Sequence, residues 1–371
     1  MTMKEHDPDT TSTETSRPDE EAASLSSVGI VTDEQLVSAN GESLSASSGE
    51  KKSLSPFQQA ILRFRRDKRA MVSLGILIMM VVVALIGPPI YQHIGGTYQA
   101  DLGGTIGPAV YHSYDHQELT QQNQGPSARY WLGTDVLGRD MLARLMQGIL
   151  ISLLVAFLVE VVDIGVGMTL GLLAGYFGGW IDMLLARFMD LIFAFPGLLF
   201  AILLTSIFSA SVSDSFGNLP LIGPFLANGY ATLLIVSLAL ALVSWPLMAR
   251  YVRGQTLQLK NQQFIEAARA AGTSDLRIII HHIIPNIFSF VLIASSLNIA
   301  NTIIGEAGLS LLGLGVREPG SSLGLMISDG LDTLEVFPWN SLLPTLVLTI
   351  IVLAISFIGD GLRDAFDPRT A

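Results

Sequence analysis

Of 371 residues, 50% are apolar and only 14% charged, where a soluble chain carries about a quarter charged residues, so the composition excludes an ordinary soluble enzyme and points to a membrane protein. The formal net charge of -11 is local: residues 1–50 hold eleven Asp or Glu against two Lys or Arg, a net of -9, and the rest of the chain is close to neutral. Outside the membrane flanks there is no basic stripe and so no nucleic-acid footprint, and without cysteine there are no disulfides or thiolate metal sites.

Residues 1–50 are rich in Ser, Thr, Glu and Asp and poor in aromatics, which predicts a disordered acidic tail. They lack the basic start and apolar run of a signal peptide. Within 51–69, the stretch SPFQQAILRFRRDKR puts Phe57, Ile61 and Phe64 at i, i+4 and i+7 with arginines beside them. That spacing predicts an amphipathic helix lying in the membrane interface.

Six stretches approach the roughly 20 apolar residues that a crossing helix needs. They run from 70 to about 90 (closed by Pro88 and Pro89), 149 to about 174, 183 to about 208 (bent at Pro196), 231 to about 248, 287 to about 312 and 342 to about 358. The expected organisation is therefore all-α and polytopic. Residues 70–147 hold the first span and an outward loop, and 148–362 a five-span core containing a polar loop at 254–286, followed by a tail at 363–371.

Lys and Arg mark the inner side. Arg63, Arg65, Arg66, Lys68 and Arg69 precede the first span, and Arg250, Arg253, Lys260, Arg269 and Arg277 lie between the fourth and fifth. The third loop has no Lys or Arg and the fifth has only Arg317. Both termini are thus expected in the cytoplasm.

Glu160 and Asp163 fall in the middle of the second span, three residues apart and on one helical face. Carboxylates at that depth line a water-filled path, where they could meet a substrate ammonium group, or bond as a neutral pair to another helix. Gly167, Gly171, Gly175 and Gly179 recur every four residues, a row that lets helices approach backbone to backbone. Arg187 and Asp190 are spaced for a local ion pair. Asn298 and Asn301 in the fifth span suit either the path or an interhelical bond, and Glu306 stands late in that span, where helix-end packing would suffice.

Between spans four and five stands EAARAAGTSDLRIIIHHIIPN. Ala267, Ala268, Ala270 and Ala271 leave a nearly bald helix face that another protein's groove could approach. Gly272 suits a left-handed helix end, Thr273 or Ser274 can cap a second helix, and Asp275 falls in its first turn. Pro285 marks the return to the membrane. A helix–glycine–helix elbow fits a docking knob as well as it fits a connector resting on the bilayer. His281 and His282 point about 100° apart on a helix, a poor metal site.

The elbow resembles the EAA loop of ABC importer permeases, matched at Glu266, Ala267, Ala268, Gly272, Ile284 and Pro285. WLGTDVLGRDMLARLMQG, matched at Leu132, Gly133, Thr134, Asp135, Gly138, Arg139 and Asp140, resembles the C-type permease subunit of dipeptide, oligopeptide and nickel importers. So do GLLAGYFGGWIDMLLARFMDLIFAFPGLLFAILL, GEAGLSLLGLGVREP and GDGLRDAFDPR, and together the matches span about 55–369. Leu150 and Leu323 stand where that family often has Arg and Trp.

The resemblance implies a type I importer permease with six transmembrane helices, forming half of a pore in the bacterial inner membrane. It implies a second permease subunit, two ATP-binding subunits and an extracytoplasmic binding protein as partners. Glu266, Ala267, Ala268, Arg269, Gly272, Asp275 and Pro285 would couple the pore to the ATPases. ATP and Mg would be held by those subunits, because no G-x-x-x-x-G-K-[ST] loop occurs here. No cofactor or covalent chemistry is expected of the chain itself. Di- or oligopeptides are the implied cargo, with nickel, glutathione and haem open. The rival reading is an ion-coupled secondary transporter using Glu160 and Asp163.

Overall fold

The structure, a computed structural model, describes residues 56–101, 106–216, 231–318 and 320–366. The acidic tail expected at 1–50 lies outside the described residues. An opening helix α1 (Pro56–Arg66) leads into the first long one, α2 (Lys68–Gly95). A hairpin of β1 (Thr97–Asp101) and antiparallel β2 (Ile106–Val110) follows, with Thr97 opposite Val110. Then come α3 (Met141–Val162), a π-helical segment (Asp163–Met168), α4 (Thr169–Phe177), α5 (Gly179–Phe193) and α6 (Gly197–Phe216). The chain continues through α7 (Ala231–Leu259), α8 (Gln263–Ala270), α9 (Asp275–Ile278), a second π-helical segment (Ile279–Ile283), α10 (Ile284–Leu311), α11 (Leu323–Leu331) and α12 (Trp339–Phe366). The bundle is all-α, and the hairpin is confined to the loop after the first span.

Among the described residues, five continuous helical stretches are long and apolar enough to cross a membrane. The pair Gly179–Phe193 and Gly197–Phe208, bent by 83°, makes a sixth. Pro196 stands at that break, as expected, because proline disfavours helical backbone in the residue before it.

Several bounds differ from the sequence expectation. Pro88 and Pro89 do not close the first span, which runs through them to Gly95. Proline's φ is itself helical, and each ring forfeits only one backbone hydrogen bond. The second span starts at Met141, well ahead of 149, because Asp140 caps it: Oδ1 accepts the amides of Leu142 at 2.8 Å and Ala143 at 3.2 Å. The fourth helix passes Pro246 to Leu259, and the sixth reaches Phe366.

Gly167, Gly171 and Gly175 form a seam against α7. A Cβ there would lie 2.9 Å from the Trp245 carbonyl oxygen, 2.5 Å from that of Ala249 and 2.9 Å from that of Arg253, respectively. Gly179 leaves the seam, since it sits in the turn to α5 with φ +55° and open space beside it. Asp190 pairs across helices with Arg250 at 2.7 Å rather than with Arg187. Arg250 also lies over the Phe193 ring at 4.1 Å. The cross-helix partner is the one that tertiary packing brings within reach.

Candidate coupling elbow and intramembrane polar cluster

In α8, Ile265 is fully buried, whereas Glu266, Ala267, Arg269 and Ala270 are exposed and Ala268 is half-buried. The helix ends as the sequence suggests. Gly272 has φ +78°, its amide donates to the Arg269 carbonyl at 2.9 Å, and the Thr273 amide donates to the Ala268 carbonyl at 3.1 Å. This paired closure needs a left-handed residue after the cap. Nothing lies within 4 Å of where a Gly272 Cβ would be, so glycine is required there for conformation and not for space.

Ser274 then precedes α9, whose first residue, Asp275, accepts a hydrogen bond from Tyr176 Oη at 2.5 Å. The Arg269 guanidinium lies 5.5 Å from the Tyr176 ring centre, within cation–π range. Both arms of the elbow therefore grip Tyr176 in the last turn of the second span. Beneath them Ile265, Ile278 and Ile283 pack with Leu172, Met248 and Val252 from the ends of spans two and four. Pro285 falls in the first turn of α10, where a missing amide costs little. The outer side presents Leu276, 68% exposed, and Ile280. The result is a small-residue and apolar face mounted on the ends of spans two and four and continuous with the start of span five.

Deeper in the bundle, Asn298 Nδ2 donates to Glu160 Oε2 at 3.0 Å and to Asp163 Oδ2 at 2.5 Å. Ser244 Oγ donates to Asp163 Oδ1 at 2.9 Å. Asp163 is 0% exposed and Glu160 5%. The pair thus joins spans two, four and five. Glu160 Oε1 and the Ser295 hydroxyl, one turn before Asn298, are both buried beside this cluster.

A cavity of about 500 Å³ opens beside this cluster, its wall including Met248, Tyr251, Phe290, Leu297, Asn298 and Asn301. The two asparagines line it, and the two carboxylates sit behind Asn298. Replacing Asn298 by Leu should destabilise the protein by about 1–3 kcal/mol, because two buried acceptors lose their shared donor. Thermal unfolding in detergent would report it, with the exposed Asn301→Leu as control, and equal melting of the two variants would sink the assignment.

Glu306 is fully buried and accepts Ser152 Oγ at 3.1 Å and Ser310 Oγ at 2.8 Å. It ties span five to span two, more than helix-end packing requires.

Sequence reasoning missed Ser244 and Ser295 beside the carboxylates, Tyr176 beneath the elbow, and an ionic network at the far end of the bundle. There Arg139 meets Asp135 at 2.7 Å, Asp329 at 3.0 Å and also Glu318, while Arg144 meets Asp135 at 2.5 Å and Asp329 at 2.9 Å. Gly133 and Gly138 make the preceding loop possible: both have positive φ, and a Cβ would collide with the carbonyl oxygens of Gln124 and Glu118. Leu323 is fully buried in the core beside Leu150.

Residues 167–371 match the family described as binding-protein-dependent transport system inner membrane component. Residues 55–126 match the N-terminal TM domain of oligopeptide transport permease C. The chain is 35% identical over 310 residues to an oligopeptide transport system permease protein of Mycobacterium tuberculosis, covering 84% of this chain and 94% of that one. It is 35% identical over 340 residues to a dipeptide transport system permease protein of Bacillus subtilis, covering 91% and 94%. A glutathione transport system permease protein of Pectobacterium atrosepticum is 37% identical over 259 residues, covering 70% of this chain and 79% of that one.

Proposed function

The chain belongs to the family of binding-protein-dependent inner membrane components, the multi-pass permease subunits of ABC importers, and on that premise we propose that it forms half of the pore of an ATP-driven importer of di- or oligopeptides. A second permease subunit completes the pore, two ATP-binding subunits dock on the cytoplasmic side, and an extracytoplasmic binding protein delivers the cargo. Both termini face the cytoplasm, a reading supported by the basic residues before span one and around the elbow. The peptide cargo rests on the relatives named as oligopeptide and dipeptide permeases.

The observation that carries the coupling role is the elbow itself. Glu266, Ala267, Ala268 and Arg269 lead to Gly272, Asp275 follows, and Tyr176 clamps both arms to span two. ATP-driven closure of the docked subunits would push on α8 and α9. The buried isoleucines and Tyr176 would pass that movement to spans two and four, and Pro285 starts the helix that moves with them. Asn298 and Asn301 face the cargo path, and Glu160 and Asp163 hold Asn298 in place. The ion-coupled alternative asks Glu160 and Asp163 to exchange ions with solvent, which their burial disfavours.

Mild-detergent isolation from native membranes, with the recovered subunits identified by mass spectrometry, tests the assembly. A second permease and ATP-binding subunits are expected, and recovery of the chain without any ATPase would overturn the reading. The elbow has its own test. In Gly272→Val a β-branched residue must adopt a left-handed conformation, a strain of about 1–3 kcal/mol that distorts the elbow locally. Uptake should collapse while ATP hydrolysis and membrane insertion persist, and undiminished uptake would remove the coupling role.

A further inference from the structure

At the basic end of the bundle, α1 rests against α12 and the start of α10 and leaves a cleft of about 100 Å³. Among the described residues its lining is apolar: Ala60, Ile61, Phe64, Leu292, Leu362 and Phe366. Ile61 and Leu62 are 43% and 45% exposed, an apolar surface that water would not favour.

Among the described residues around this cleft, bases outnumber acids. At about 100° per residue, Arg63 and Arg65 fall on the two flanks of the Ala60–Ile61–Phe64 face, and Arg65, Arg66, Lys68 and Arg69 are exposed. Asp67, the one acid in this run, caps α2 with Oδ1, which accepts the Arg69 amide at 2.9 Å, and its Oδ2 lies near Gly361 of α12, so one acid stands against the five bases of 63–69. On α12, Leu362 and Phe366 line the cleft and Arg363 is next to them. Asp360 and Asp364, both exposed, fall on the opposite face by helical spacing.

We propose that this cleft seats an acyl chain of an anionic phospholipid of the inner leaflet, whose headgroup is held by the arginines at the end of α1. The apolar lining excludes a soluble anion as sole occupant, and the flanking bases select against a zwitterionic lipid. The proposal rests on the orientation given above, with α1 at the cytoplasmic surface, where an amphipathic helix lies at headgroup depth and anionic lipids attract bases.

The test is native mass spectrometry of the intact transporter in mild detergent, titrated with phosphatidylglycerol or with phosphatidylcholine. At least one phosphatidylglycerol should bind with about tenfold preference or more, and inorganic phosphate should not displace it. The triple variant Arg63→Gln, Arg65→Gln, Arg66→Gln should lose the preference. Ile61→Trp, which fills the cleft and keeps the charge, should lower the occupancy of both lipids.

Equal binding of the two lipids by the wild-type complex would overturn the proposal, and that arm decides even if a variant proves unstable. A preference surviving in the triple variant, or displacement by inorganic phosphate, would also overturn it. The readout is lipid binding and not uptake, so an error in the cargo or in the coupling role would leave the result unaffected.

Discussion

Replacing Arg144 by Met should destabilise the protein by about 3–5 kcal/mol, the usual consequence of removing one partner from a buried ionic network. Arg144 is 1% exposed, and its two terminal nitrogens meet Asp135 at 2.5 Å and Asp329 at 2.9 Å. Asp329 lies in α11 and Arg144 in the first turns of α3, so the loss would detach the loop helix from the outer end of span two. Arg139 shares both aspartates and would hold part of the geometry.

That sharing makes the prediction sharper. The double variant Arg144→Met, Asp135→Asn should be less stable than Arg144→Met alone, because Asp135 still pairs with Arg139 at 2.7 Å and the second change removes that buried pair as well. Thermal unfolding of the detergent-purified protein, at low and high salt, is the measurement. The effect should depend little on salt, since a buried pair is poorly screened. A loss below about 1 kcal/mol, typical of exposed pairs, would show that the network contributes little to holding α11.

Much of the bundle was legible in the sequence because bilayer thickness fixes how long an apolar run must be. The elbow was legible for a different reason. Its helix closure depends on Gly272 and on local hydrogen bonds within a few residues, which short-range spacing encodes.

The bounds of spans one and two were not legible. Continuation through Pro88 and Pro89 depends on packing, and the start at Met141 depends on Asp140, which caps α3 and also receives Tyr91 Oη at 2.8 Å and faces His112 Nδ1 at 2.7 Å. Partners far apart in the chain leave no periodic signal. Ser244 stands 81 residues from Asp163 and Asp329 185 residues from Arg144. The same reason accounts for Asp190 pairing with Arg250, at a separation of 60, when Arg187 stood one turn away. Glu160 and Asp163 could be recognised as a pair from their spacing, but that they lie behind Asn298 and not in the cavity wall follows from how spans four and five pack.

The glycine seam between spans two and four yields the most severe expected defect. In Gly171→Leu, the new Cβ would stand 2.5 Å from the Ala249 carbonyl oxygen and 2.9 Å from Val252 Cβ. Overpacking costs about 1–3 kcal/mol where side chains can yield, and here the obstacle is backbone, so the loss should exceed that range. Gly165 supplies the control: it belongs to the same span but has nothing within 4 Å of its Cβ position, so Gly165→Ala should melt close to the unaltered protein. The seam lies between the Asn298 cluster and the elbow, where spans two and four must move together if a push on Tyr176 is to reach the asparagines at the cavity wall. A milder wedge, Gly175→Ala, meets Thr256 Cβ at 2.7 Å and the Arg253 carbonyl oxygen at 2.9 Å. It should leave the fold assembled but weaken the link, lowering uptake per ATP hydrolysed. If Gly171→Leu melted with Gly165→Ala, the two spans would not be in the close contact on which this transmission depends.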